Sequence, residues 1–147
     1  MHFDPTSLLK DKNLSLTSVR LAVLDALQKM PHSDANTIFA IVQKKIPTAT
    51  IQAVYNNLNA LTEAGILQEI KPKGRFSLYE TRVGDNHHHI VCRGCGKVED
   101  ADCMGSAPCL MPSHDHGYDI DEAEIIFWGL CPDCKKPFNK KQKRRTI

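Results

Sequence analysis

The run His87-His88-His89-Ile90-Val91-Cys92-Arg93-Gly94-Cys95 decides how the rest of the chain is read. Ile90 and Val91 give it β-strand character, and along a strand successive side chains face opposite ways. His87 and His89 therefore share one face, and His88 takes the other. The two cysteines follow just past the strand, on a turn eased by Gly94 and Gly96. Two sets of metal ligands lie back to back here, and each needs partners from elsewhere in the chain.

For the cysteines the partners are Cys131 and Cys134, in Gly129-Leu130-Cys131-Pro132-Asp133-Cys134, just after the strand-like Ile125-Ile126-Phe127-Trp128. One Cys-x-x-Cys pair puts two thiolates on a tetrahedral metal and a second pair closes the shell, leaving no open position. That is the pattern of a structural zinc. It would tie the end of one strand to the end of another and staple a small domain with a modest core. A redox Cys-x-x-Cys, or a haem-type Cys-Pro at Cys131-Pro132, are the competing readings. The second set, His87 and His89, is a chelating pair that is unspecific by itself and equally suits surface histidines. Oxygen donors near in sequence are Glu80, Asp85, Glu99, Asp100 and Asp102. A nitrogen and carboxylate shell suits Fe(II), Mn(II) or Zn(II) better than Ca(II), and Fe(II) or Mn(II) better than Cu(I). His32, alone between two helices, reads as a polar loop residue.

A chain of 147 residues suits one domain or two small ones. No apolar run approaches the about 20 residues of a membrane span, and the first residues lack the charged and apolar regions of a secretion signal. A cytoplasmic location follows as the expectation, where thiols stay reduced and paired cysteines read first as metal ligands. Charge is unevenly spread. Residues 1–81 carry 9 Lys/Arg against 7 Asp/Glu, residues 82–134 carry 3 against 10, and residues 135–147 carry 7 against none. An acidic middle suits cations, and basic ends suit a polyanion.

Ahead of the histidines the pattern is helical. Residues 1–12 form an arm or a short helix. Thr17 caps a helix over 18–30, with Leu21, Leu24 and Leu27 or Gln28 as its inner stripe, and Pro31 stops it. Ser33 or Asp34 caps a second helix to residue 45, with Ile38, Ile41 and Val42 inward and Pro47 beyond. Thr48-Ala49-Thr50 offers caps for a third over 51–64, in which Val54, Leu58 and Leu61 face inward and Gln52, Tyr55, Asn56 and Asn57 largely do not. Gly65 sits at its C-cap. Strands over 66–70 and 76–80 flank the turn Lys71-Pro72-Lys73-Gly74-Arg75, with three cations at its tip. Three helices and a charged hairpin make a winged helix-turn-helix, whose exposed amides and Tyr reach bases or phosphates and whose basic wing reaches phosphates. An ordinary helical bundle with a solvated hairpin is the plainer alternative.

The expected fold class is α+β: a winged helix over 1–81, a hinge over 82–86, a small α/β metal-binding dimerisation domain over 87–136, and a basic tail over 137–147. Pro108 and Pro112 argue against a long helix within 103–117.

Val54-Tyr55-Asn56-Asn57-Leu58, the run His87-x-His89-x-x-Cys92-x-x-Cys95-Gly96, and Gly129-x-Cys131-x-x-Cys134 together resemble the ferric uptake regulator family, over about residues 14–136. The resemblance is greatest to its peroxide-sensing repressors, in a branch with an extra pair like Cys103 and Cys109. It implies a homodimer on palindromic double-stranded operator DNA, and a structural Zn2+ on Cys92, Cys95, Cys131 and Cys134. It also implies a regulatory Fe2+ or Mn2+ whose ligands fall on His32, Glu80, His87, His89 and Asp100. DNA contacts would come from Arg20, Thr50, Gln52, Tyr55, Asn56, Asn57, Lys71, Lys73 and Arg75. Of the family's usual Pro-Gln-Arg only Arg20 remains, in Ser18-Val19-Arg20. The stretch Asp121-Glu122-Ala123-Glu124 lacks the His that an additional metal site uses, and Pro108 and Pro112 shorten the helix of the dimerisation domain.

The expected function is a metal-dependent repressor, not an enzyme, that senses hydrogen peroxide and releases DNA when a ligand histidine, His32 or His87, or the thiols of Cys103 and Cys109, are oxidised. An iron-responsive regulator on the same scaffold is the alternative. A zinc hydrolase using His87, His89 and a carboxylate is a remote one, since it leaves the Tyr55 helix and the basic wing without a purpose. No Gly-rich phosphate loop is present.

Overall fold

The computed structural model describes residues 3–85, 87–102 and 112–135. The chain divides into two units, Met1–Gly84 and Asp85–Ile147.

In the first unit every helix begins at a side chain that satisfies an otherwise orphaned backbone N–H. α1 (Pro5–Asp11) starts after Asp4, with Pro5 in its first turn, and Asp4 accepts from the Thr6 N–H at 3.1 Å. α2 (Ser18–Lys29) starts after Thr17, whose hydroxyl accepts from the Arg20 N–H. Asp34 caps α3 (Ala35–Lys45) through the Thr37 N–H, and Thr50 caps α4 (Ile51–Glu63) through the Ala53 N–H. Gly65, at φ 76°, takes the left-handed turn after α4 that a side chain would resist. The apolar faces meet in one core, with Leu9, Val23, Leu24, Leu27, Ile38, Val42, Val54, Leu58 and Leu61 all removed from solvent. Ile41 and Leu21, expected inside, are only half-buried against that core.

A three-stranded antiparallel sheet closes the unit. β1 (Ser33–Asp34) pairs with β3 (Leu78–Glu80), and β3 pairs with β2 (Gln68–Ile70). This is a winged helix. The hairpin strands are shorter than the sequence pattern predicts. Ile66 and Leu67 sink into the helical core instead of entering the ladder, and Phe76 stands in solvent. β1 was not anticipated, because two polar residues carry no alternation signal.

The second unit is a small mixed sheet in the order β5-β4-β6. Its centre is β4 (His87–Cys92), antiparallel to β5 (Val98–Asp102) and parallel to β6 (Ile126–Gly129). One helical turn, α5 (Pro132–Lys135), follows. Among the described residues of this unit the buried apolar side chains are only Val91, Cys92 and Val98. No helix among the described residues is long and apolar enough to cross a membrane.

Candidate metal centres and nucleic-acid interface

The parallel pairing of β4 with β6 sets Cys92 beside Gly129, so both Cys-x-x-Cys loops leave the sheet at one end. There the four Sγ atoms of Cys92, Cys95, Cys131 and Cys134 lie within 4.8 Å of one another. Cys95 Sγ and Cys131 Sγ are 3.8 Å apart. A tetrahedral zinc with Zn–S bonds of about 2.3 Å has S···S edges of about 3.8 Å, so the cluster has the dimensions of that ion.

Backbone amides complete the cradle. The Cys131 N–H donates to Cys92 Sγ at 3.3 Å and the Cys95 N–H at 3.5 Å. These donors, Cys131 first, draw the Cys92 thiol down to about 5. The Cys134 thiol is pushed the other way, to about 12, chiefly by its neighbours Cys131 and Cys92. Four thiolates this close repel unless a cation sits among them, and that donor chemistry fits zinc. Gly94 makes the approach possible. A Cβ there would lie 2.9 Å from Cys134 Sγ. Beside the loop, the Arg93 guanidinium lies over the Trp128 ring at 5.2 Å.

The mixed-donor residues fall in two places. In the first unit His32 Nε2 is 2.9 Å from Glu80 Oε2, and the Glu80 carboxyl is 1% exposed. His32 adopts φ 63°, a left-handed conformation uncommon outside glycine, and its N–H donates to the Tyr79 carbonyl at 3.0 Å. A carboxyl buried this deeply is costly unless paired or bound to a cation. In the second unit His87 Nε2 and His89 Nε2 lie 3.7 and 3.6 Å from the same Asp100 oxygen, so they share a face of β4. Their rings stand edge to face, with centroids 4.9 Å apart. Two donors at about 2.1 Å from one metal stand about 3.0 to 3.4 Å apart, so this trio needs only small shifts to ligate together. His87 Nδ1 is held by Asp85, which orients the ring as an outer-shell carboxylate does. His88 faces the other way yet is also buried, so burial does not follow the alternation along this strand.

The residues expected to meet DNA divide into two groups. Gln52 and Asn56, one turn apart on α4, are joined by a 3.0 Å bond on an exposed face, and Tyr55 beside them is 41% exposed. Lys71, Lys73 and Arg75 lie exposed on the wing, with Lys71 paired to Glu69 at 3.2 Å. The other group is engaged inside the unit. Arg20 Nε donates to Asn57 Oδ1 at 3.0 Å and its terminal nitrogen to the Ser15 carbonyl at 3.1 Å, while Asn57 donates to the Ala53 carbonyl. The Thr50 hydroxyl accepts from the Ala53 N–H and so caps α4, which leaves its own O–H free to donate. Arg20 and Asn57 thus strap the start of α2 to α4, a role their sequence positions do not announce. Cys103, Cys109 and the basic tail lie outside the described residues.

Residues 11–126 match the model of the ferric uptake regulator family. The chain belongs to that family. The transcriptional regulator FurA of Mycobacterium tuberculosis is 53% identical over 127 residues, 86% of each chain. The solved structure of the Campylobacter jejuni peroxide stress regulator superposes with a TM-score of 0.55 at 31% identity, covering 68% of this chain and 73% of that one. The Helicobacter pylori ferric uptake regulator, described as having three functional metal binding sites, superposes at 0.71 with 17% identity, covering 93% and 97%, which bears on the fold alone. The chain is therefore a metal-binding transcriptional regulator with a winged-helix fold and a four-cysteine zinc site.

Proposed function

We propose that this family member is an iron-responsive, DNA-binding repressor that works as a homodimer in the cytoplasm. One regulatory Fe2+ or Mn2+ would draw ligands from His32 and Glu80 and from His87, His89 and Asp100. The observation that carries this is the burial of mixed nitrogen and oxygen donors in both units, with Glu80 and His89 each 1% exposed. A ligand set taken from both units makes metal occupancy favour one relation between them, and in a dimer that relation fixes the spacing of two recognition helices on two half-sites. The 53% identity to FurA and the family's description support iron as the signal.

A second reading, peroxide sensing, is favoured by Asp100, the carboxylate beside both histidines, and by the 31% identity to the Campylobacter peroxide stress regulator. Iron would supply the redox chemistry when bound. Hydrogen peroxide would then give one oxygen to the His32 or His87 ring and leave as water, and the oxidised ring would ligate poorly.

The test is a gel shift on operator fragments with protein prepared without air. Under the iron reading, adding Fe2+ or Mn2+ produces binding, chelation abolishes it, and Glu80→Ala and His89→Ala each remove the same single equivalent of metal. Binding that ignores metal would overturn it. Under the peroxide reading, micromolar peroxide releases the iron form but not the manganese form, and a His32 or His87 peptide gains the mass of one oxygen. Release without that gain would defeat histidine oxidation.

A further inference from the structure

The wing carries an aromatic side chain that belongs to neither metal centre and to no expected DNA contact. Phe76 is 74% exposed, directly after Lys71-Pro72-Lys73-Gly74-Arg75. Single exposed apolar residues are common, but this one is fixed in place. The Arg75 N–H donates to the Pro72 carbonyl at 3.0 Å, Gly74 takes the left-handed turn at φ 76°, and the Ser77 hydroxyl donates to Glu69 at 3.0 Å. A backbone bond before Phe76 and a side-chain bond after it therefore define the turn from which its ring projects.

Phe76 is also one wall of a recess of about 190 Å³ in the winged-helix unit. Tyr55 of the recognition helix, Ser77 beside Phe76, Tyr79 of β3, and Asp34, Ala35 and Asn36 at the start of α3 line the rest. Two partly exposed aromatics, one from the helix and one from the wing, thus face a single hollow. In a winged helix the recognition helix occupies the major groove and the wing reaches the backbone beyond it. The ridge between those two places is one sugar–phosphate strand. Charge then distinguishes the parts of that strand. The Asp34 carboxylate at the recess repels a phosphate, while Lys73 and Arg75 stand exposed on the wing, just before Phe76 in the chain.

We infer that the recess seats one deoxyribose of operator DNA, with Phe76 covering the sugar face and the flanking phosphates left to Lys73 and Arg75. The inference rests on the DNA-binding reading. Contact with a sugar carries no base information and releases no counterion. Phe76 is then an affinity residue that acts equally on every sequence and at every salt concentration. An apolar wedge in the minor groove would behave differently, since it would favour steps that unstack easily.

The experiment uses the full-length metal-loaded protein and a duplex library randomised over its central positions. Fluorescence anisotropy is then measured on enriched duplexes that differ only in their flanks. Phe76→Ala is expected to weaken binding about tenfold on all of them, with the slope of log affinity against log salt unchanged. Phe76→Leu restores most of the loss. Lys73→Ala, as a control, lowers that slope by about one. A Phe76→Ala loss confined to particular flanks, or no loss, overturns the proposal. If the wild-type protein with metal enriches no duplex, it is the DNA-binding reading that fails. Circular dichroism of each variant excludes unfolding as the cause of a loss.

Discussion

Replacing Gly94 by Ala is a sharp test of the zinc cradle. The added Cβ would stand 2.9 Å from Cys134 Sγ, 3.3 Å from Cys134 Cβ and 3.6 Å from Cys92 Sγ. The first distance is shorter than real contacts allow, so either the β4–β5 turn or α5 must shift. A sulfur held at about 2.3 Å from a metal has little freedom to yield. Overpacking of this kind costs about 1 to 3 kcal/mol, and the cost falls on the metal-bound state, where the four sulfurs are drawn together. Zinc affinity should therefore drop by about 5- to 150-fold. Competition against a chromophoric chelator reads the affinity directly. Trp128, the single tryptophan, lies under Arg93 beside the site and reports zinc loss through its fluorescence. Gly129→Ala is the control: it also sits at a strand end next to the cysteines, but an added Cβ there meets nothing within 4 Å. Gly94→Ala binding zinc as tightly as wild type, or Gly129→Ala losing it equally, would refute the packing argument.

Removing one ligand should do more than strain it. Cys131→Ala, or a strong chelator on the wild type, should abolish zinc retention and melt the sheet of the second unit while the helical unit persists, seen as two separated transitions by circular dichroism. Leu58→Ala, at the centre of the helical core with no exposed surface, should cost about 2 to 5 kcal/mol in urea unfolding. Asp25 is paired with Lys45 and Lys29, in that order of effect, and its carboxyl is held below its ordinary value of 3.8. That contribution is present above the ordinary value and lost as pH falls through the lowered one, so Asp25→Asn should flatten the acid limb of a stability–pH profile and leave the neutral region little changed. The effect is small because the pair is largely solvated.

Much of this was legible in the chain because the strongest signals are local. A Thr or Asp before an apolar stripe states where a helix starts, and α2, α3 and α4 begin at such residues. Two Cys-x-x-Cys pairs state a four-sulfur shell without any knowledge of the fold. What stayed hidden depends on partners distant in sequence. β1 exists because Tyr79 and Leu78 offer it a ladder. The sequence marks Arg20 and Asn57 as candidate DNA contacts but does not show the bond that joins them across 37 positions. Phe76 reads as a strand residue from its β propensity, but the strand begins two residues later, and only the turn at Pro72 and the Ser77–Glu69 bond explain why it faces solvent.

The side-by-side alignment of β4 and β6 also bears on how errors in this molecule are caught. Were β6 to pair one residue out of step, Cys131 and Cys134 would be carried about 3.3 Å along the sheet and every β6 side chain would change face. Four sulfurs so displaced no longer surround a common centre. Ion capture thus acts as a proofreading step on strand alignment: a molecule that has taken up zinc is one whose two distant segments have met in the right phase.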